Sequence, residues 1–196
     1  MRISREQAQE NHDKVVATAG RLFRERGFDG VAVGDLMKAA GFTHGGFYNH
    51  FNSKEALAAE ALDQAFRQMD HHRAGVESLD DLLSQYLSEA ARRAPGRACP
   101  AAALAGDVSR QGDLVKQVFA EGFERMVESM AARLPEGPET RGEAIALLSR
   151  MAGALALARA MPESSDLGRE VLAAAVESCR ADAARLKGRA NQNPRS

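Results

Sequence analysis

The sequence predicts an all-α protein, with a three-helix N-terminal domain followed by a larger helical bundle. Three observations predict it. Apolar residues recur at three- and four-residue spacing along almost all of the 196 residues, which is the period of one helix face. Aromatic residues make up only 5% and β-branched residues are sparse, which disfavours strands. No stretch alternates apolar and polar residues with a period of two.

The first helix is expected from Ser4, which stands at capping-box spacing from Gln7. Its stripe is Val15, Ala19, Leu22 and Phe23, and Gly27 suits the residue that closes it. A short helix follows with Val33, Leu36, Met37 and Ala40 on one face, ended by Gly41. Thr43 offers an N-cap for a third segment containing Phe47, Tyr48 and Phe51. Ser53, Ala56 and Leu57 open a long helix to about Met69. Ser78 caps a stripe of Leu79, Leu82, Leu83, Tyr86, Leu87 and Ala90 that stops before Pro95. Cys99-Pro100 starts another helix, since Pro is favoured at the first helical position. A further stripe runs from Val115 through Phe119, Phe123 and Met126 to Met130, ending at Leu134-Pro135. Two last helices are expected at about 141–160 and 167–187, and the polar tail 188–196 is expected to be disordered.

The 26 Lys+Arg and 27 Asp+Glu residues give a net charge of −1, so binding to a polyanion through bulk charge is disfavoured. Residues 1–57 hold eight basic and seven acidic side chains, and any such role must come from local geometry. Collagen-like and disordered classes are excluded by 44% hydrophobic and 27% charged residues. No apolar run reaches the roughly 18–20 residues that span a bilayer. The start Met1-Arg2-Ile3-Ser4 lacks the apolar stretch of a secretory signal. Cys99 and Cys179 make no disulfide framework. A cytoplasmic protein is expected.

The informative stretch runs from Val33 to Phe51. Two short amphipathic segments flank a tight turn at Gly41-Phe42, as in a helix-turn-helix that offers its second helix to the major groove of DNA. Leu36, Ala40, Phe47 and Phe51 can pack inward. Thr43, His44, Gly45, Gly46, Tyr48, Asn49 and His50 remain outside, where hydroxyl, amide and imidazole groups reach base edges and phosphates.

The segment Gly41-Phe-Thr-His-Gly-Gly-Phe-Tyr-Asn-His-Phe-Asn-Ser-Lys-Glu-Ala-Leu57 closely resembles the signature of the tetracycline-repressor (TetR/AcrR) family of transcription factors. So does the lead-in of Ala19, Leu22-Phe23 and Gly27-Phe28; Thr18, where relatives more often carry a second Ala, departs mildly. The resemblance covers about the first 60 residues. It implies that Thr43 caps the recognition helix and touches a phosphate, and that His44 and Gly45 lie nearest the bases with Gly46 beside them. Tyr48 and His50 would bind the DNA backbone, Asn49 bases or phosphate, and Lys54 a phosphate through a charge-assisted bond. Val31-Ala32 stands where relatives often have Thr or Ser, so a phosphate contact there passes to the backbone amide of Gly34 or is lost.

The resemblance also implies domains at 1–57 for DNA and 58–187 for ligand binding and dimerisation. Phe66, Met69, Tyr86, Cys99, Leu104, Phe119, Phe123 and Met126 are candidate pocket residues, with Asp107 and Arg110 as polar anchors; plain core is the alternative for each. Leu148, Met151, Leu155, Leu172, Val176 and Cys179 are candidates for a dimer interface, against intramolecular core. The expected activity is that of a homodimeric repressor, released by a small-molecule effector from a palindromic double-stranded operator. A helical adaptor without DNA, or a regulator switched by oxidants or electrophiles through Cys99 beside Arg92, Arg93 and Arg97, are the alternatives. No cofactor, catalytic constellation or metal site is expected: adjacent His71-His72 point about 100° apart on a helix.

Overall fold

The computed structural model describes residues 4–192. It contains α1 (Arg5–Arg26), α2 (Val33–Ala40), a 3₁₀ helix (His44–Asn49), α3 (Lys54–Ala74), α4 (Leu79–Tyr86) and α5 (Glu89–Arg93). A 3₁₀ turn (Pro95–Arg97) follows, then α6 (Pro100–Val108), α7 (Asp113–Ala131), α8 (Thr140–Arg159) and α9 (Asp166–Gln192). Among the described residues there is no strand, and no helix is long and apolar enough to cross a membrane.

The chain forms two compact units, Met1–Gln68 with Pro95–Ala120 and Met69–Ala94 with Glu121–Ser196. Neither is contiguous in sequence, and the first includes α6 as well as the three N-terminal helices.

In the first unit α1 packs on α2, α6 and the 95–97 turn. Ser4 caps α1, accepting from the Gln7 amide at 3.1 Å, while the Gln7 side chain turns forward to Glu10 and Asn11. Val15, Ala19, Leu22, Phe23, Leu36, Met37, Phe47 and Leu57 are buried. Gly20 lets α1 approach α3 closely, since a Cβ there would meet the Ala61 carbonyl oxygen at 3.2 Å. Arg24 donates from Nε to the Gly96 carbonyl at 2.9 Å. Burial pulls its guanidinium below the ordinary pKa, opposed by nearby Cys99 and Glu25.

In the second unit α8 lies along α9, with α4 and α5 against them. Arg92, only 4% exposed, donates to the Ala158 carbonyl at 2.8 Å and to the Pro162 carbonyl at 2.7 Å. It thereby adds a buried side-chain donor to carbonyls at and just beyond the end of α8.

Three expectations are corrected. The segment after Thr43 is a 3₁₀ helix, because Gly45 and Gly46 in its first turn weaken α propensity. The stripe from Ser78 breaks at Leu87-Ser88. There the Ser88 hydroxyl accepts from the Ala91 amide at 3.0 Å and starts α5. Residues 188–192, expected to be disordered, continue α9; positions 193–196 lie outside the described residues.

Candidate nucleic-acid interface

α2 ends because Gly41 adopts the left-handed conformation at φ +85°, so the Phe42 amide can bond back to the Met37 carbonyl at 2.8 Å. Thr43 is extended, and its carbonyl accepts from the Gly46 amide at 3.1 Å. Its hydroxyl makes no capping bond, contrary to the expected N-cap; 3₁₀ pairing uses the carbonyl instead. That leaves the hydroxyl exposed.

The 3₁₀ helix is pinned from one side. Phe47 is 1% and Phe51 4% exposed, with ring centroids 5.6 Å apart. His12 of α1 stacks on Phe51 at 4.6 Å and bonds Glu60 of α3 at 2.6 Å. The other side is open. Thr43, His44, Gly45 and Asn49 are exposed, and Tyr48 is 70% exposed, edge-on to Phe47 at 5.3 Å. A large aromatic ring left in water is held out by its buried neighbour.

The glycines differ in role. A Cβ on Gly45 would meet nothing within 4 Å, whereas one on Gly46 would touch Met37 Cε at 3.7 Å. Gly34 is adjacent to the recognition segment: a Cβ there would lie 3.3 Å from His44 Nδ1. Ala32 supplies no side-chain cap to α2. The first paired amide is that of Leu36, to the Ala32 carbonyl at 3.0 Å, so the Gly34 amide precedes the hydrogen-bonded ladder.

His50 is half-buried, its ring 6.0 Å from His12 and 6.4 Å from Phe42. Lys54 is half-buried at the first position of α3, where the Ser53 hydroxyl accepts from the Ala56 amide at 3.0 Å. Lys14 is a residue that sequence reading missed. It is exposed on α1 with Nζ 5.5 Å from the Phe42 ring centroid, bringing a cation to the turn. Helical periodicity marks it as outward-facing, but no spacing relates it to Phe42. The exposed set offers hydroxyl, imidazole, amide and phenol groups on one short segment, with Lys14 at the turn and Lys54 at the start of α3, chemically suited to base edges and phosphates.

The expected pocket residues fall into separate groups. In the first unit Phe66 meets Phe119 edge-on at 5.7 Å, while Cys99 and Leu104 are buried. Asp107 pairs with Arg110, itself exposed. In the second unit Tyr86 and Met126 line a cavity of about 10 Å³ together with Arg73, Ser129, Met130 and Met151, close to the lower limit for one water molecule. Met69 and Phe123 are half-buried in that unit. Of the arginines expected beside Cys99, Arg92 donates to the Ala158 carbonyl, Arg93 pairs with Glu89 and Arg97 is exposed; Arg24 interacts electrostatically with Cys99.

The expected dimer residues also need correction. Leu148, Met151, Leu155, Leu172 and Cys179 are at most 4% exposed within one chain, and Val176 is half-buried. They form the α8–α9 core, because the apolar stripe of an amphipathic helix first serves its own fold. Burial raises the Cys179 thiol pKa, opposed by Arg150.

Residues 15–61 match the profile of the bacterial regulatory proteins of the tetR family. The HTH-type transcriptional repressor DhaR of a Mycobacterium species is 31% identical over 133 residues, covering 64% of this chain and 66% of DhaR. The HTH-type transcriptional regulator TtgR of Pseudomonas putida is 34% identical over 82 residues, 42% of this chain and 39% of TtgR. The chain thus spans just under two thirds of one curated relative and about two fifths of the other. Among solved structures, a TetR transcriptional regulator from Chloroflexus aurantiacus is 27% identical with a TM-score of 0.67, covering 88% of this chain and 95% of that one. Reduced NemR of Escherichia coli shares the fold at 21% identity and a TM-score of 0.68, covering 85% and 95%. With its helix-turn-helix and helical C-terminal bundle, this chain belongs to the TetR/AcrR family of transcriptional regulators.

Proposed function

We propose that the protein is a homodimeric, sequence-specific DNA-binding repressor that a small-molecule effector releases from a palindromic operator. The observation that carries this is the open face of the 3₁₀ helix, where Tyr48 stands 70% exposed and Gly45 leaves empty space. A protein gains nothing in its own stability from either. His44 and Gly45 are read as facing base edges with Gly46 behind them. Thr43, Tyr48, Asn49, His50, Lys54 and the Gly34 amide are read as facing phosphates, and Lys14 joins them.

The partner surface is the outward side of the last two helices. On α8, Ile145, Ser149, Gly153, Ala156 and Leu157 are exposed and share one face at about 100° per residue. On α9 the matching face carries Leu167, Ala174 and Ser178, all exposed. Two copies of this pair make a four-helix interface. Two recognition segments about 34–36 Å apart then read a palindrome. The effector acts by population shift, favouring dimers whose recognition segments no longer fit that spacing. Cys99, 2% exposed, is read as core at the start of α6.

Selection of bound duplexes from a random DNA library tests the reading, with Tyr48→Ala as control. The expected result is a palindrome, bound in a salt-sensitive manner and lost in the variant. Absence of any enriched sequence favours the adaptor.

A further inference from the structure

His12 stands beside the face read as the DNA surface and outside the set of residues assigned to it. It lies on α1 with its side chain 21% exposed, and its Nε2 is 2.6 Å from Oε1 of Glu60 on α3. A carboxylate only accepts, so Nε2 carries the hydrogen and donates. The ring stacks on Phe51, with centroids 4.6 Å apart and planes at 27°. The His50 ring is 6.0 Å away, and His50 in turn has Phe51 at 6.2 Å and Phe42 at 6.4 Å. Three rings, from α1, from the turn after α2 and from the residue that follows, thus flank the imidazole read as meeting a phosphate.

This arrangement does little for folding. Glu60 is 48% exposed, and exposed pairs contribute little to stability. Packing on Phe51 needs only an apolar side chain. An imidazole bonded to a carboxylate adds a fixed ring plane, because one nitrogen is held while the ring face lies on Phe51. Its anchor belongs to the helix that Lys54 begins, so the pair ties α1 to a second element of the same surface. A side chain that must be ordered on binding costs affinity, and one already ordered does not. Resting on the reading of the open 3₁₀ face as a DNA surface, we propose that His12 is a positioning residue for operator binding. Held by Glu60, it fixes the His50 ring, so that His50 meets its phosphate already ordered. His12 acts through His50 and touches no DNA itself.

The test uses the full-length chain and its selected operator, with affinity read by fluorescence anisotropy at several salt concentrations and a thermal melt of every variant. His12→Ala and Glu60→Ala should each lower affinity about three- to tenfold, the range for one side chain that must be ordered on binding. Sequence preference and salt slope should stay as they are, because the number of cations at the interface is unchanged, and the melts should stay close to wild type. His12→Gln, which is planar and still donates to Glu60, should recover part of the loss. The double variant His12→Ala/His50→Ala should bind no more weakly than His50→Ala alone. Additive losses in that double variant, or His50→Ala at wild-type affinity, overturns the proposal. So does a salt slope reduced by about 1 in His12→Ala, which makes His12 itself a phosphate contact. A collapsed melt in both alanine variants gives a merely structural role and overturns it as well; should His12→Ala alone fail to fold, Glu60→Ala carries the test. A wild-type chain that selects no duplex removes the DNA-binding reading and the proposal with it. Operator binding that neither alanine variant weakens removes the proposal alone.

Discussion

Gly45 and Gly34 lie on neighbouring surfaces and answer to different demands. At Gly34 a methyl group would press on the His44 imidazole at 3.3 Å, a constraint internal to the protein. At Gly45 the protein imposes none, so the empty space is available to a partner. Gly45→Leu should therefore leave the thermal midpoint nearly unchanged while lowering operator affinity more than about tenfold. Melting curves and gel mobility shifts on one preparation would separate the two effects, and a collapsed melt would show that the space is structural. Lys54→Ala should act differently, weakening binding to all sequences alike and reducing the salt slope by about 1. A changed sequence preference at undiminished affinity would place Lys54 on a base. At this scale the sequence was legible wherever residue type sets direction, as with outward Tyr48 and inward Phe47. It was not legible for Thr43, whose identity suggests a cap while 3₁₀ pairing of its carbonyl leaves the hydroxyl out. Nor was it for His12, which finds Glu60 across 48 positions.

Helices were legible where an apolar stripe coincides with a capping residue, as at Ser4, Gly41 and Ser78. The stripe that hides a break between α4 and α5 misled, because Ser88 caps from within it. The end of α9 misled in the opposite sense: its polar composition removes the apolar signal, yet ion pairs hold it to α8. Arg185 lies 3.8 Å from Glu143 and Arg189 3.4 Å from Glu139, and Arg150 of α8 bonds Asp182 at 2.5 Å. That bond holds the Asp182 carboxyl below its ordinary pKa, with burial opposing. The folded value is the lower one, so this stabilisation is complete above the unfolded aspartate value of about 3.9 and is lost as pH falls through the folded value. Amide hydrogen exchange near residues 180–189 should quicken as pH falls below about 4, and Asp182→Asn should be fast at every pH. Exchange in the native protein that ignores pH, once corrected for intrinsic rates, would mean that the pairs contribute nothing to the end of α9.

For the whole molecule, the proposed assembly turns on the outward faces of α8 and α9. Leu157 and Leu167 are 58% and 56% exposed, and Gly153 offers a Cβ no contact within 4 Å. Leu157→Glu should convert a dimer to monomers in sedimentation velocity, with affinity for a full palindrome falling towards that for a half-site. A variant that stays dimeric would place the interface elsewhere. The sequence showed that these two helices were unusually apolar, but it could not say which side each spends on its own core.

The unit that carries the proposed reading surface is assembled from two separate stretches of chain, and α6, more than forty residues downstream of Lys54, belongs to it. A chimera that exchanges DNA specificity between relatives by splicing at residue 57 would seat a foreign α1 on the host's α6, against an unmatched Arg24–Gly96 clasp. Specificity in this scaffold is therefore better transplanted as a surface than as a segment. Exchanging the open face of the 3₁₀ helix alone disturbs no buried contact, so on the proposed reading lineages that change operators by point substitution there need not re-evolve the rest of the chain.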